Sequence, residues 1–173
     1  MPLDNHMQIL VDQLVELLQE LVSGHEKLMT LAQQKRHALR TAQFQRVTQT
    51  CEDENQIVQQ ISELEKRRLQ LVADLTLAMD PQAKSPLRMA ALAEQLPEPH
   101  RGRLLVMRQQ LIQHMEAARK EINVARQATE SLVAHMQGLM QSIGSVCNDV
   151  NLYGSNGAPP QTALALSTFH ATA

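Results

Sequence analysis

One apolar repeat, running from residue 104 to residue 150, constrains this chain more than any other feature. Leu104, Leu111, Met115, Ala118, Ile122, Ala125, Leu132, Met136, Leu139, Ile143, Val146 and Val150 alternate in steps of four and three, with only Arg108 and Thr129 polar within the series. On an α-helix such positions form one stripe, whereas a strand would scatter them over both faces. The stripe therefore predicts a single long helix, about 101–149, whose apolar side is buried sideways against other helices. Ala118 and Ala125 are small enough to let a neighbour approach closely. Gly138 and Gly144 each weaken the far end by about 1 kcal/mol relative to Ala, so the last third of this helix is expected to be its more mobile part.

The same alternation appears at the start of the chain, in Leu3, Met7, Leu10, Leu14, Leu17, Leu21, Leu28, Leu31 and Ala38, interrupted only by Gly24 and Lys35. A second row, Val11, Val15, Leu18, Val22, Met29 and Ala32, widens the seam into a face broad enough for two neighbours. These residues predict a helix over 3–40, capped by Asp4 or Asn5. The register slips across Arg40-Thr41-Ala42-Gln43, where a turn is expected with Thr41 as a cap, and it resumes with Phe44 and Val47. A second helix over 42–79 then uses Ile57, Val58, Ile61, Leu64, Leu71, Val72 and Leu75. Glu63, Glu65, Lys66, Arg67 and Arg68 make its solvated face.

Asp80-Pro81 and Ser85-Pro86 end that helix, because proline lacks the N–H of a helix interior and disfavours helical geometry in the residue before it. A short amphipathic helix, 87–96, is expected to follow with Pro86 near its first position and to plug one end of the bundle. Pro97-Glu98-Pro99-His100-Arg101-Gly102 makes the next turn. The fold expected is all-α: an antiparallel, coiled-coil-like bundle of three long helices and one short one, forming a single domain over 1–150. Residues 151–173 contain no Lys, Arg, Asp or Glu and are rich in Gly, Asn and Pro. They read as a flexible C-terminal tail with apolar spots at Leu152-Tyr153 and from Leu164 to Phe169.

Composition narrows the function. The chain has no Trp, one Tyr, two Phe and six Gly among 173 residues, which disfavours a sheet protein. Its formal net charge of −2 gives no field that would draw it to nucleic acid. No apolar run approaches the roughly 20 residues of a membrane span. A membrane-surface helix lacks the Lys/Arg-rich polar face it would need. The opening MPLDNHMQIL has no basic segment ahead of an apolar run, so a cleaved signal is not expected. Cys51 and Cys147 stand alone, which suits a reducing compartment, and both read as small core or surface residues.

Chemistry is hard to find. The histidines at 6, 25, 37, 100, 114, 135 and 170 form no HxxxH or HExxH pair, so they read as solvated or edge-of-core residues rather than metal ligands. Glu63 with Glu65, and Glu116 with Glu121, are not spaced to share adjacent turns of one face. The run Glu52, Asp53 and Glu54 reads as helical surface, without the apolar enclosure that perturbs a pKa. No catalytic residue, metal or cofactor is expected. The methionines Met107, Met115, Met136 and Met140 lie on the last helix, where unbranched thioethers either fill a core or adapt to a partner. The seam positions of Met115 and Met136 favour core filling, while Met140, close to Gly138 and Gly144, suits either role.

The junction Asn151-Leu152-Tyr153-Gly154-Ser155-Asn156-Gly157 resembles the Leu-Tyr-Gly-x-x-Gly signature that closes the last helix of FlgN-type flagellar export chaperones. The stretch with Ile61, Leu64, Glu65, Arg68 and Leu71 is similar to that family's second-helix pattern, and the likeness covers about residues 3–157. The resemblance implies a cytoplasmic, non-enzymatic chaperone. Its partners would be hook-filament junction proteins, whose helical termini it shields from aggregation or premature assembly, and the flagellar type III export gate. On that reading Leu132, Met136, Leu139, Met140 and Ile143 face the client. Leu152, Tyr153 and Gly154 dock on the gate, with Tyr153 as the anchor. The resemblance implies neither nucleic-acid binding nor membrane insertion, and self-association as a homo-oligomer is left open. The competing reading is a self-associating coiled-coil scaffold, against which the prolines at 81, 86, 97 and 99 favour a folded-back bundle.

Overall fold

A computed structural model describes residues 4–150, with side chains described from Asp4 through Ser145. Four helices follow in order: α1 (Asn5–Arg40), α2 (Phe44–Met79), α3 (Met89–Gln95) and α4 (His100–Val150), and no strand occurs among the described residues. The fold is all-α, with three long helices and one short one. The chain divides within α4, between Thr129 and Glu130, and the two parts are described separately.

In the first part the helix directions follow from the side chains that meet. Lys35 of α1 pairs with Glu54 of α2, and Gly24 lies against Ile61. Descending numbers on α1 thus match ascending numbers on α2, so the two are antiparallel. Along α4 the numbers rise with those of α1: Arg103 Nη1 lies 3.0 Å from Asp12 Oδ1, His114 Nδ1 lies 3.5 Å from Glu26 Oε1, and Arg36 Nη1 lies 3.2 Å from Glu121 Oε2. This is an up-down-up bundle in which α2 and α4 also run opposite ways.

Its core joins both apolar rows of α1 to the other helices: Val11, Leu14, Val15, Leu17, Leu18 and Leu21 pack with Val72, Leu75, Leu92, Leu104 and Leu111. Each Leu buried there contributes on the order of 1.5–3 kcal/mol. Among the described side chains of α4, Leu104, Leu111, Ala118 and Ala125 are buried, one every seven positions. Short α3 adds Leu92 and Ala93, and its C-cap residue Leu96 joins them in the same cluster, at the end of the bundle where α1 and α4 both begin. Val58 and Phe44 depart from expectation, being 52% and 55% exposed. They share the apolar spacing of α2, but α1 covers only the arc that holds Ile61 and Leu64.

The α1–α2 turn is tighter than a slip of register suggests. The Gln43 N–H donates to the Ala38 carbonyl at 2.9 Å and the Ala42 N–H to the Leu39 carbonyl at 3.3 Å. These are the two bonds of a Schellman motif, which needs a left-handed residue at its corner. Ala42 takes that role with φ 53°, a position where Gly avoids the steric cost an L side chain bears. Thr41 caps α1 rather than α2: its hydroxyl donates to the His37 carbonyl at 3.0 Å. Asp4 sits at the N-cap of α1 without a side-chain capping bond.

Beyond α2 the chain is held by Thr76. Its buried hydroxyl donates to the Val72 carbonyl at 2.7 Å and accepts the Leu87 N–H at 3.0 Å, tying the returning loop to the helix it has just left. Helix α3 opens at Met89, with Arg88 as its N-cap residue, so Pro86 precedes the helix instead of starting it. The Glu98–Pro99 peptide is cis. Glu98 Oε2 accepts the Gly102 N–H at 3.1 Å, satisfying one donor in the first turn of α4.

Candidate partner-binding surface

Polar groups at the helix contacts are mostly paired. Lys35, which breaks the apolar row of α1, meets Glu54 with both side chains about 15% exposed. Glu54 is therefore mostly enclosed and not a free surface carboxylate, although its second oxygen has no hydrogen-bond partner. On α2 the ion pairs Lys66 with Glu63 and Arg68 with Glu65 form, each 2.8 Å apart; the first is solvated as expected, whereas the second is part-buried. Among the described residues no three His, Cys, Asp or Glu side chains gather as a metal ion would require.

A shallow groove of about 410 Å³ lies in the first part, floored by His25 and Leu28 of α1 and walled by Met115, Ala118, Arg119 and Ile122 of α4. Burial holds His25 below its ordinary value of 6.5; nearby Glu65 pulls it upward and His114 pushes it further down. Sequence reasoning missed this groove and gave Met115 to the core. Met115 is 43% exposed, because the buried line of α4 passes through Leu111 and Ala118 and leaves it on the shoulder.

The second part begins at Glu130 and continues α4. From Ser131 to Ser145 it has no Lys, Arg, Asp or Glu. Leu132 is half-buried, while Met136 is 46%, Leu139 51%, Met140 71% and Ile143 64% exposed. At 100° per residue these five span an arc of about 100°. The apolar repeat that buries Leu104 to Ala125 thus carries on, with its side chains open. This corrects the assignment of Met136 to the core: periodicity records a stripe but not whether anything covers it. Val133, 48% exposed, borders the same arc and was missed, although its seven-residue spacing from Met140 was visible.

The opposite side of this segment is small and polar. The Ser142 hydroxyl donates to the Gly138 carbonyl at 2.9 Å, and the Ser145 hydroxyl to the Ser142 carbonyl at 2.8 Å. A Cβ added at Gly138 or Gly144 would meet nothing within 4 Å. The five residues assigned to client contact therefore share one apolar arc, on which Met136, Leu139, Met140 and Ile143 are exposed and Leu132 is half-buried. Leu152, Tyr153 and Gly154, assigned to gate docking, lie outside the described residues.

What the described surface offers is apolar contact area on a helix, the equipment of a helical protein-binding protein. A family model described as FlgN protein matches residues 7–161, nearly the whole chain. The chain belongs to the FlgN family of flagellar export chaperones. No curated protein and no solved structure matches it significantly. No helix among the described residues is long and apolar enough to cross a membrane.

Proposed function

We propose that this protein is a cytoplasmic chaperone for the hook-filament junction proteins, binding their helical termini and delivering them to the type III export gate. The observation that carries this reading is the exposed, charge-free face of Leu132, Met136, Leu139, Met140 and Ile143. An amphipathic client helix laid along it gains the apolar burial it lacks before assembly. Holding that helix prevents aggregation and premature polymerisation, and the adaptable thioethers of Met136 and Met140 fit different client shapes. Tyr153, between Leu152 and Gly154, is the anchor for the gate.

Co-purification with the junction proteins tests the client step. Truncating the half-exposed Leu139 to Ala removes about 1–1.5 kcal/mol of apolar contact, a weakening of roughly tenfold. Tyr153→Ala is expected to keep the client and lose the gate. Unchanged client affinity in Leu139→Ala together with Met140→Ala would overturn the assignment of the face, and unchanged gate binding in Tyr153→Ala would overturn that of the tyrosine.

A further inference from the structure

The face assigned to the client can pair with a copy of itself, being open along its length and without Lys, Arg, Asp or Glu. Leu132, Met136, Leu139 and Ile143 follow steps of four, three and four, so their spacing, as in any heptad stripe, reads the same in both directions about a point between Gln137 and Gly138. In heptad terms they are d, a, d and a, with Val133 and Met140 at e and His135 and Ser142 at g. When two such helices pair antiparallel about a two-fold axis, each a residue meets a d residue: Ile143 lies over the partner's Leu132, and Met136 over the partner's Leu139. A two-fold contact also brings like positions together, so charges near the axis repel their own copies. Here no Lys, Arg, Asp or Glu occurs from Ser131 to Ser145, and the flanking e positions are apolar on both sides.

We infer that, without a client, this face is occupied by the same face of a second copy of the chain, as an antiparallel helix pair centred between Gln137 and Gly138. The inference rests on the client-binding reading only in naming the same surface; the pairing itself follows from pattern, exposure and charge. Its size sets its strength. The exposed parts of Val133, Met136, Leu139, Met140 and Ile143 amount to roughly 500 Å² per copy, so the pair buries at most roughly 1,000 Å² in total, the lower edge of a specific interface. The dimer is accordingly weak and reversible, and a client gaining more contact displaces it.

Sedimentation of the full-length protein alone, from about 1 to 300 µM, tests this. The expected result is a monomer–dimer equilibrium that stops at the dimer. Met136→Glu alone and Leu139→Lys alone each weaken it by at least about tenfold, by burying a charge against an apolar partner. Mixing those two variants restores a mixed dimer, because the carboxylate introduced at position 136 of one copy then faces the ammonium introduced at position 139 of the other only in the antiparallel arrangement. A monomer throughout the range overturns the proposal, and amide protection of residues 132–143 in that monomer would show the chain covering its own face. A dimer that Met136→Glu leaves untouched, or variants whose mixture does not associate, overturns it equally. None of these outcomes depends on client binding, which the co-purification experiment judges separately.

Discussion

At Gly24 the surface of α1 lies close against Ile61 of α2, and its substitution gives a sharp test of the packing. A Cβ at this position falls 2.9 Å from Cγ1 of Ile61 and 3.3 Å from its Cδ1. In an open helix interior, Gly→Ala gains about 1 kcal/mol from propensity. Here that gain is opposed by the overlap with Cγ1, which is bonded to the stiff β-branched carbon of Ile61 and moves only if χ1 rotates or α2 shifts. Overpacking of this kind costs about 1–3 kcal/mol, so Gly24→Ala is expected to lower stability by about 1 kcal/mol net. Gly138 supplies the contrast, since nothing lies within 4 Å of its Cβ position and its replacement by Ala retains the whole gain. Urea unfolding followed by far-ultraviolet dichroism reads the Gly24 change, and amide exchange reads local opening around Gly138. Ile61→Ala removes both opposing atoms, so on that background Gly24→Ala becomes favourable, a coupling of about 2 kcal/mol. If Gly24→Ala stabilises the wild-type chain as much as Gly138→Ala stabilises its own segment, the close approach of α1 and α2 is wrong.

Two further outcomes follow from the bundle. Thr76→Val keeps the side-chain shape but removes the acceptor of the Leu87 N–H, and it is expected to cost about 1–2 kcal/mol in urea unfolding while Thr76→Ser retains most of the stability. His25 makes the fold acid-sensitive: its folded pKa lies below 6.5, so the unfolded chain takes up a proton first. Stability held above about pH 6.5 is therefore lost as the pH falls through 6.5 towards the lower folded value. His25→Gln flattens that part of the profile, and an unchanged slope between pH 7 and 5 would refute the assignment.

Much of the architecture was legible because periodicity states which residues share a side. Leu14, Leu21, Leu104, Leu111, Ala118 and Ala125 were all assigned to seams, and all are buried. Helix ends were legible where proline forces them, at Pro81 and Pro97, and less so at Ala42, where hydrogen bonds set the turn against the residue's own preference. Contacts between distant positions were not legible. Gly24 reads as a flaw until Ile61 is placed against it, and Lys35 reads as an interruption until Glu54 meets it. The candidate face was half legible: its residues came from the repeat, while their exposure depends on neighbours that no local pattern can count. Met115 and Met136 were given to the core for that reason.

The absence of ionic side chains between Ser131 and Ser145 also governs how anything held there is released. Dissolved ions screen charge attraction, but they leave dispersion and water exclusion nearly intact, and sulfate or phosphate even strengthens them. Changes in salt would therefore not loosen such a grip. On the proposed reading, unloading would come from a rival greasy surface or from mechanical pull.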